Sequence, residues 1–466
     1  MNKLRAGFSC VTINPPLGIG VAGYYVPRFA QGVLDDLQVG ALVLCCDREP
    51  IALVSVDACG VDAGLIREYA AAVEAATGLP AKNVFLSATH THTGGLLVPT
   101  SAFAADEALI GQYARQVGQA VTQAVRQALE DLRPARMGYI VGVAPDRVEY
   151  IRRYKMKDGS TWTCPPINDP NIDGPIGTLD RRVNVLRFDR EGAPTVVLVN
   201  HGLHADTVNG SLLSADWPGW MRRTLQKALD GVECLFFNGA EGDVGSTNVH
   251  PAGGDMNDTE ISFDNEMKSP GMARFVGRAL AGTVLQVYDK VCYTDVESVA
   301  VLRREVAVAA NLPTPQELVR AREYKSLHDQ GRDDQIPYTA MELTTVVAEA
   351  LRMCRLAEGP KEFILPLTGV RLGKVAMVGI PGEPFTQIGV DIQAIPGWEA
   401  ILPCALTNGD EGYFPVRSAY EEGGYEARTS PYGAGVAEAL VEGARALLSE
   451  LSEQGEQGGQ SGQGPQ

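Results

Sequence analysis

The sequence predicts an α/β protein, and three observations predict it. Short β-type apolar runs alternate with amphipathic helical stretches along most of the chain instead of segregating from them. No apolar run reaches the roughly 18 residues of a membrane span. Several of the runs break off into polar, chemically capable residues, which is where α/β proteins place their sites.

In chain order, Gly40–Cys46 and Ile51–Val56 read as strands, with Cys45 and Cys46 facing opposite sides. A helix is expected over 62–77: Asp62 is a good N-cap, Leu65, Ile66, Tyr69 and Val73 form its apolar stripe, and Gly78 with Pro80 stops it. The strand that starts at Asn83 runs into His90-Thr-His92-Thr-Gly-Gly95. A longer helix follows over 106–132, its buried stripe formed by Ile110, Tyr113, Val117, Val121, Ala124 and Ala128. Between Lys155 and Asp180 the pattern collapses into Pro, Gly, Asn and Asp, the composition of a long loop that walls or covers a site.

The strand from Pro194 ends in His201-Gly-Leu-His204. Ser214–Gly219 reads as an N-cap with proline in the first turn, leading a helix through Leu229. A second polar stretch covers 250–270, and helices are expected at 272–288, 314–330, 339–357 and 433–452. A strand from Lys374 breaks at Pro381-Gly-Glu383-Pro, so that the acid stands just beyond a strand end. Residues 453–466, rich in Gln, Gly and Glu, bury too little apolar area to offset the entropy of ordering and are expected to be a disordered tail after a single domain over 1–452.

Composition removes whole classes of function. A net charge of −17 lacks the clustered Lys and Arg that phosphates need, so nucleic acid is not an expected partner. The N-terminus carries basic residues but no apolar stretch of secretory length, which reads as cytoplasmic. Nine scattered cysteines with no Cys-x-x-Cys pair fit reduced thiols, and not a disulfide framework or a thiolate zinc site.

Against that background the histidines stand out: four of only six fall in the two strand-end clusters. A lone histidine at a strand end is usually a hydrogen-bonded structural residue. Two clusters in a His-poor chain point instead to metal, since neutral imidazole is the commonest ligand and catalytic zinc takes three protein ligands with one position open.

Ala88-Thr-His90-Thr-His92-Thr-Gly94 resembles a run carried by the neutral ceramidases and their bacterial relatives, zinc-dependent amide hydrolases. The resemblance continues, in the family's order and over nearly the whole chain, at Asn200–His204, Ser214–Gly219, Phe237–Val244, Pro381–Glu383, Tyr413 and Tyr425. It implies mixed β-sheets packed together and flanked by helices, with a Zn²⁺ site at strand ends. The implied ligands are His90, His204, Glu383 and Tyr413. His201 and His204 compete for one role, and the spacing from Asn200 fits His204 better. His92 would carry a proton to the leaving amine, Tyr425 would donate to the developing oxyanion, and Arg152 or Arg153 would add positive charge.

The implied activity is hydrolysis of an amide C–N bond by metal-activated water, with a small-molecule or lipid-like amide as substrate and a place in lipid metabolism; a homo-oligomer is compatible with it. The chain departs from the family at Gly242-Asp-Val-Gly-Ser246, where the family's serine is displaced by one residue or replaced by Gly245. That keeps two alternatives open: a zinc hydrolase of a non-lipid amide or ester, and a relative that binds metal or ligand without catalysis. Metallo-β-lactamase and amidohydrolase sites fit less well, because Gly94-Gly95 stands where the first needs an Asp-His pair, and only His250 and His328 remain to supply the second.

Overall fold

The computed structural model describes residues 4–46, 49–100, 104–251 and 268–460. A nine-stranded mixed sheet dominates, in the order Glu233–Asn238, Val196–His201, Arg182–Arg190, Arg133–Val143, Arg5–Thr12, Gln38–Cys45, Ile51–Val56, Val84–Ala88, with Cys292–Thr294 paired to Arg133–Val143. Its middle is antiparallel and each edge is a parallel pair. A four-stranded sheet, Val299–Ala309, Glu362–Leu372, Val375–Gly379 and Ala400–Cys404, carries a third parallel pair.

The two sheets face each other across one core. Leu42, Leu53, Phe85, Leu198 and Phe237 from the large sheet meet Val370, Met377 and Leu402 from the small one. Each such side chain contributes about 1.5–3 kcal/mol on full burial. The outer faces are covered by helices: Ala63–Thr77 and Glu107–Glu130 on one half of the large sheet, Asp216–Ala228 and Pro270–Val287 on the other, and Thr386–Gln393 with Val436–Gln460 on the small sheet. The expected α/β arrangement of packed, helix-flanked sheets is therefore the observed one.

Local signals worked where the chemistry is local. Asp62 accepts from Gly64 N–H, Gly78 closes that helix at φ 75°, and Asp106 caps the next from its side chain. All six residues of the stripe from Ile110 to Ala128 are buried.

Other expectations need correction. The 155–180 stretch is not wholly irregular: Arg153–Met156, Thr161–Thr163 and Ile172–Pro175 form a small antiparallel sheet. Ala215, not Ser214, stands at the N-cap position and has no side-chain cap bond of its own, while the Ser214 hydroxyl one residue earlier accepts the Asp216 N–H at 2.9 Å and donates to Asp35. The last helix continues past 452 to Gln460, and the rest of the expected tail, like most of the polar 250–270 stretch, lies outside the described residues. Among the described residues no helix is long and apolar enough to cross a membrane.

Candidate metal centre

Main-chain hydrogen bonds tie the C-terminal ends of the three parallel pairs together, and that assembles the site. Ala88 N–H donates to Leu406 O at 3.2 Å, Ala405 N–H to Asn238 O at 2.9 Å, Gly239 N–H to His201 O at 2.9 Å, and Leu406 N–H to Gly382 O at 2.9 Å. The approach is close enough to require glycine: a Cβ on Gly239 would stand 2.8 Å from Gly202 N, and one on Gly202 2.6 Å from Ala240 O.

His90 leaves its strand at φ 70°, a left-handed conformation that costs a non-glycine residue on the order of 1–3 kcal/mol. The surroundings hold it there. His90 N–H donates to Ala58 O, Thr89 N–H to Val56 O, and the Thr89 hydroxyl to Asp57, whose carboxylate forms a buried pair with Arg222 at 2.5 Å. His204 is placed from the other edge of the sheet: Leu203 N–H donates to Asn238 Oδ1, and the His204 carbonyl accepts the Trp217 indole N–H at 3.1 Å. Glu383 follows the Pro381-Gly382 break, in a two-residue strand paired in parallel with Tyr413–Phe414.

These segments bring His90 Nε2 to 3.3 Å and His204 Nε2 to 3.1 Å from the same Glu383 oxygen. Each imidazole has its other nitrogen beside a main-chain carbonyl, His90 Nδ1 at 2.6 Å from Cys59 O and His204 Nδ1 at 2.9 Å from Glu241 O. A carbonyl only accepts, so both rings donate from Nδ1 and present Nε2 inward, the tautomer that a metal ligand needs. The ligand atoms of His90, His204 and Glu383 all lie within 4.8 Å of one another.

Cys59, His90 and His92 make a second close group. It is the weaker donor set, because His90 Nδ1 is already committed to the Cys59 carbonyl and burial pushes the Cys59 thiol away from thiolate.

Electrostatics favour a cation at this point. Burial is the largest single influence on His90 and opposes its charge, yet Glu383 and Cys59 together outweigh it and lift the imidazole well above its ordinary range; His90, with His204, in turn holds the Glu383 carboxyl well below its own. Burial holds His204 down at about 4, helped by Arg152. His92 is also held well below its ordinary range by burial, and it lies with Nε2 3.2 Å from His90 Nε2 and Nδ1 3.6 Å from Asp206. Asp206 is itself gripped by Lys268 at 2.5 Å and by Tyr24.

Of the remaining expected residues, Arg152 reaches the site and Arg153 does not. Arg152 Nη1 stands 3.1 Å from His204 Nε2 and its Nε 2.8 Å from Glu426, whereas Arg153 is buried against Glu422 and the Phe385 ring. Tyr413 and Tyr425 meet ring to ring at 5.6 Å, and both line one cavity of about 730 Å³ with His90, His92 and Glu383. His201 goes elsewhere: it pairs with buried Glu149 at 2.9 Å and faces the Arg182 carbonyl. At the departure from the family pattern, Gly245 lies beside Arg152 and Ser246 is buried.

Sequence reasoning gave no role to three acids that the fold brings here. Glu241 is fully buried near His90 and Glu383, and its carboxylate oxygens have no hydrogen-bond partner among the described residues. Asp206 stands behind His92, and Asp410 opens onto the cavity. Glu241 lies in the quoted 237–244 stretch and Asp206 two residues past His204, so position was a usable signal for both. Asp410 gave none.

No protein-family model matches the chain, and no curated protein sequence matches it. Four chains of solved structures do, among them the following two. A neutral ceramidase from Pseudomonas aeruginosa superposes with a TM-score of 0.70 at 17% identity, over 97% of this chain and 75% of that one. A ceramidase complexed with C2 gives 0.71 at 17% identity, over 97% and 76%. The chain has the neutral ceramidase fold. Within that fold, the ligand atoms of His90, His204 and Glu383 lie close enough together to hold a metal ion.

Proposed function

We propose that this chain is a zinc-dependent hydrolase of the neutral ceramidase type that cleaves an amide C–N bond. The observation that carries the reading is the pair of inward Nε2 atoms on one buried Glu383 oxygen, an oxygen with no properly aligned hydrogen-bond donor among the described residues. Two imidazoles of fixed tautomer and a carboxylate are a borderline, nitrogen-and-oxygen donor set that suits zinc. Tyr413, on the strand paired with Glu383, is the proposed fourth ligand. Bound there, zinc supplies a Lewis acid that lowers the pKa of water to about 7.

The chain's own groups do the rest. His92, kept neutral by burial and steadied by Asp206, accepts a proton at the imidazole and returns it to the leaving nitrogen. Tyr425, whose hydroxyl burial keeps protonated, donates to the oxyanion that forms as the carbonyl is attacked. Arg152, anchored by Glu426 and by the Gly242 carbonyl at 2.7 Å, adds fixed positive charge to the same side.

A non-lipid amide or ester is the second reading, favoured by the cavity wall, where tyrosines and acids outnumber aliphatic side chains. A panel of N-acyl amides and esters, including a long-chain N-acyl sphingoid, given to the zinc-loaded protein tests both. Hydrolysis of the long-chain N-acyl sphingoid supports the ceramidase-type proposal, and turnover confined to non-lipid amides or esters replaces it with the second reading.

A further inference from the structure

We propose that Glu241 is a positioning residue of the metal centre, standing behind the ligands, whose buried negative charge completes the neutralisation of a bound dication. The role rests on the metal site of the hydrolase reading above and names what that site needs beyond its ligands.

Glu241 is fully buried, and neither of its carboxylate oxygens has a hydrogen-bond partner among the described residues. Buried polar groups are almost always paired, so an acid in this state calls for something that satisfies it. Glu149, Glu383 and Glu426 also carry buried oxygens without an aligned donor, but each faces a basic group: His201 for the first, His90 and His204 for the second, Arg152 for the third. Glu241 faces none at ion-pair distance among the described residues.

The main chain fixes Glu241 beside both halves of the ligand set. Its carbonyl accepts from His204 Nδ1 and from Val244 N–H, each at 2.9 Å. The next residue, Gly242, donates its N–H to Pro384 O at 2.9 Å and accepts from Arg152 Nη2 at 2.7 Å. A Cβ on Gly242 would stand 2.5 Å from Glu383 O, so only glycine lets the segment lie this close. Glu241 is thus clamped between His204 and the strand break that carries Glu383. Its oxygens join no group of three ligand atoms within 4.8 Å among the described residues, so it acts through charge and not by ligation.

The surrounding charges decide what it does. Arg152 is paired with Glu426, and Asp206 with Lys268. Metal-bound imidazoles are neutral and so is a phenol, which leaves Glu383 as the one charged group in the proposed ligand set. One positive charge of a bound Zn²⁺ then remains among buried residues, and Glu241 is the buried acid there without a partner. Burial disfavours charge on Glu241, and Glu383 adds to the cost, while His90 and Arg152 offset it only in part. That cost falls when a dication is bound, because charges act strongly across a low-dielectric interior.

The test compares wild type with Glu241→Gln, Glu241→Met and Glu241→Asp in two measurements: zinc affinity by competition with a chelator, and denaturant unfolding of the metal-free proteins. Gln keeps the shape and Met the approximate volume without the charge. Both should bind zinc about ten- to a hundredfold more weakly, the typical effect of a group behind the ligands. Their metal-free forms should unfold at no lower denaturant concentration than wild type, since an uncompensated buried acid has been removed. Asp keeps the charge and should lose less zinc affinity than either.

Zinc affinity in Glu241→Gln and Glu241→Met equal to that of wild type overturns the proposal and leaves the hydrolase reading standing, whereas a wild type that binds no zinc ends both. If the metal-free forms of both neutral variants unfold more easily than wild type or fail to fold, Glu241 is a scaffold residue. If Glu241→Asp loses as much zinc affinity as Glu241→Gln, shape and not charge is the cause. Either of these results also overturns the proposal.

Discussion

The imidazoles of His90 and His204 meet edge to face with ring centroids 4.6 Å apart, one arriving from each edge of the large sheet. That meeting is possible because both edges are parallel pairs whose C-terminal ends are stitched to the loop after Ala400–Cys404. Glu383 then needs only one strand break to reach both rings.

His204→Ala and His201→Asn should separate metal from scaffold. Losing His204 removes a proposed ligand and should lower zinc affinity by more than the ten- to hundredfold typical of an outer-shell change. Losing His201 leaves buried Glu149 with only Arg181, 4.0 Å away, and should cost up to roughly 3–5 kcal/mol of stability while zinc is retained. Zinc content per chain and denaturant unfolding read the two effects.

Gly239→Ala should disturb the site without touching a ligand. The added methyl meets Gly202 N at 2.8 Å and Gly202 Cα at 3.0 Å, both backbone, so the Val196–His201 and Glu233–Asn238 strand ends must separate. We expect a loss of about 1–3 kcal/mol in stability and weaker zinc binding together. A variant as stable and as metal-replete as wild type would refute the account of how the strand ends are joined.

Asp216 gives a pH signature. Burial lifts its carboxyl from 3.8 to about 6, although Thr207 and the Val208 and Trp217 N–H groups favour the charged form. Folding thus favours the protonated acid: its contribution is complete below about pH 4 and is lost as pH rises through about 6. The stability gap between wild type and Asp216→Ala, both zinc-saturated, should therefore narrow between pH 5 and pH 7.5 in denaturant titrations.

How much of this was legible in the sequence follows from the range of each interaction. Helix caps such as Asp62 and Asp106 and the stripe along 106–132 depend on neighbours within a turn or two, and they were readable. His90, His92 and Glu383 were marked by strand runs that end beside them. The choice between His201 and His204 was not decidable from local pattern: one residue ends a strand facing Glu149, the other lies past a glycine turn with its Nδ1 against the Glu241 carbonyl.

Arg152, in the break between Tyr150–Ile151 and Arg153–Met156, and Arg153, which opens the second strand, are distinguished only by distant partners, Glu426 for the first and Glu422 for the second. The 153–175 sheet was hidden because its strands are too short to show a period. Ser214 makes the bond to the Asp216 N–H that its composition suggests, and only its second bond, to Asp35 far away in the chain, was hidden.

The most direct test of the central claim pairs zinc content with amide hydrolysis in wild type and His92→Ala. The account predicts one zinc per chain in both proteins, hydrolysis of an N-acyl amide by wild type, and a kcat lower by about a hundred- to ten-thousandfold in the variant. A wild type that takes up no zinc, or equal rates in the two proteins, would contradict it.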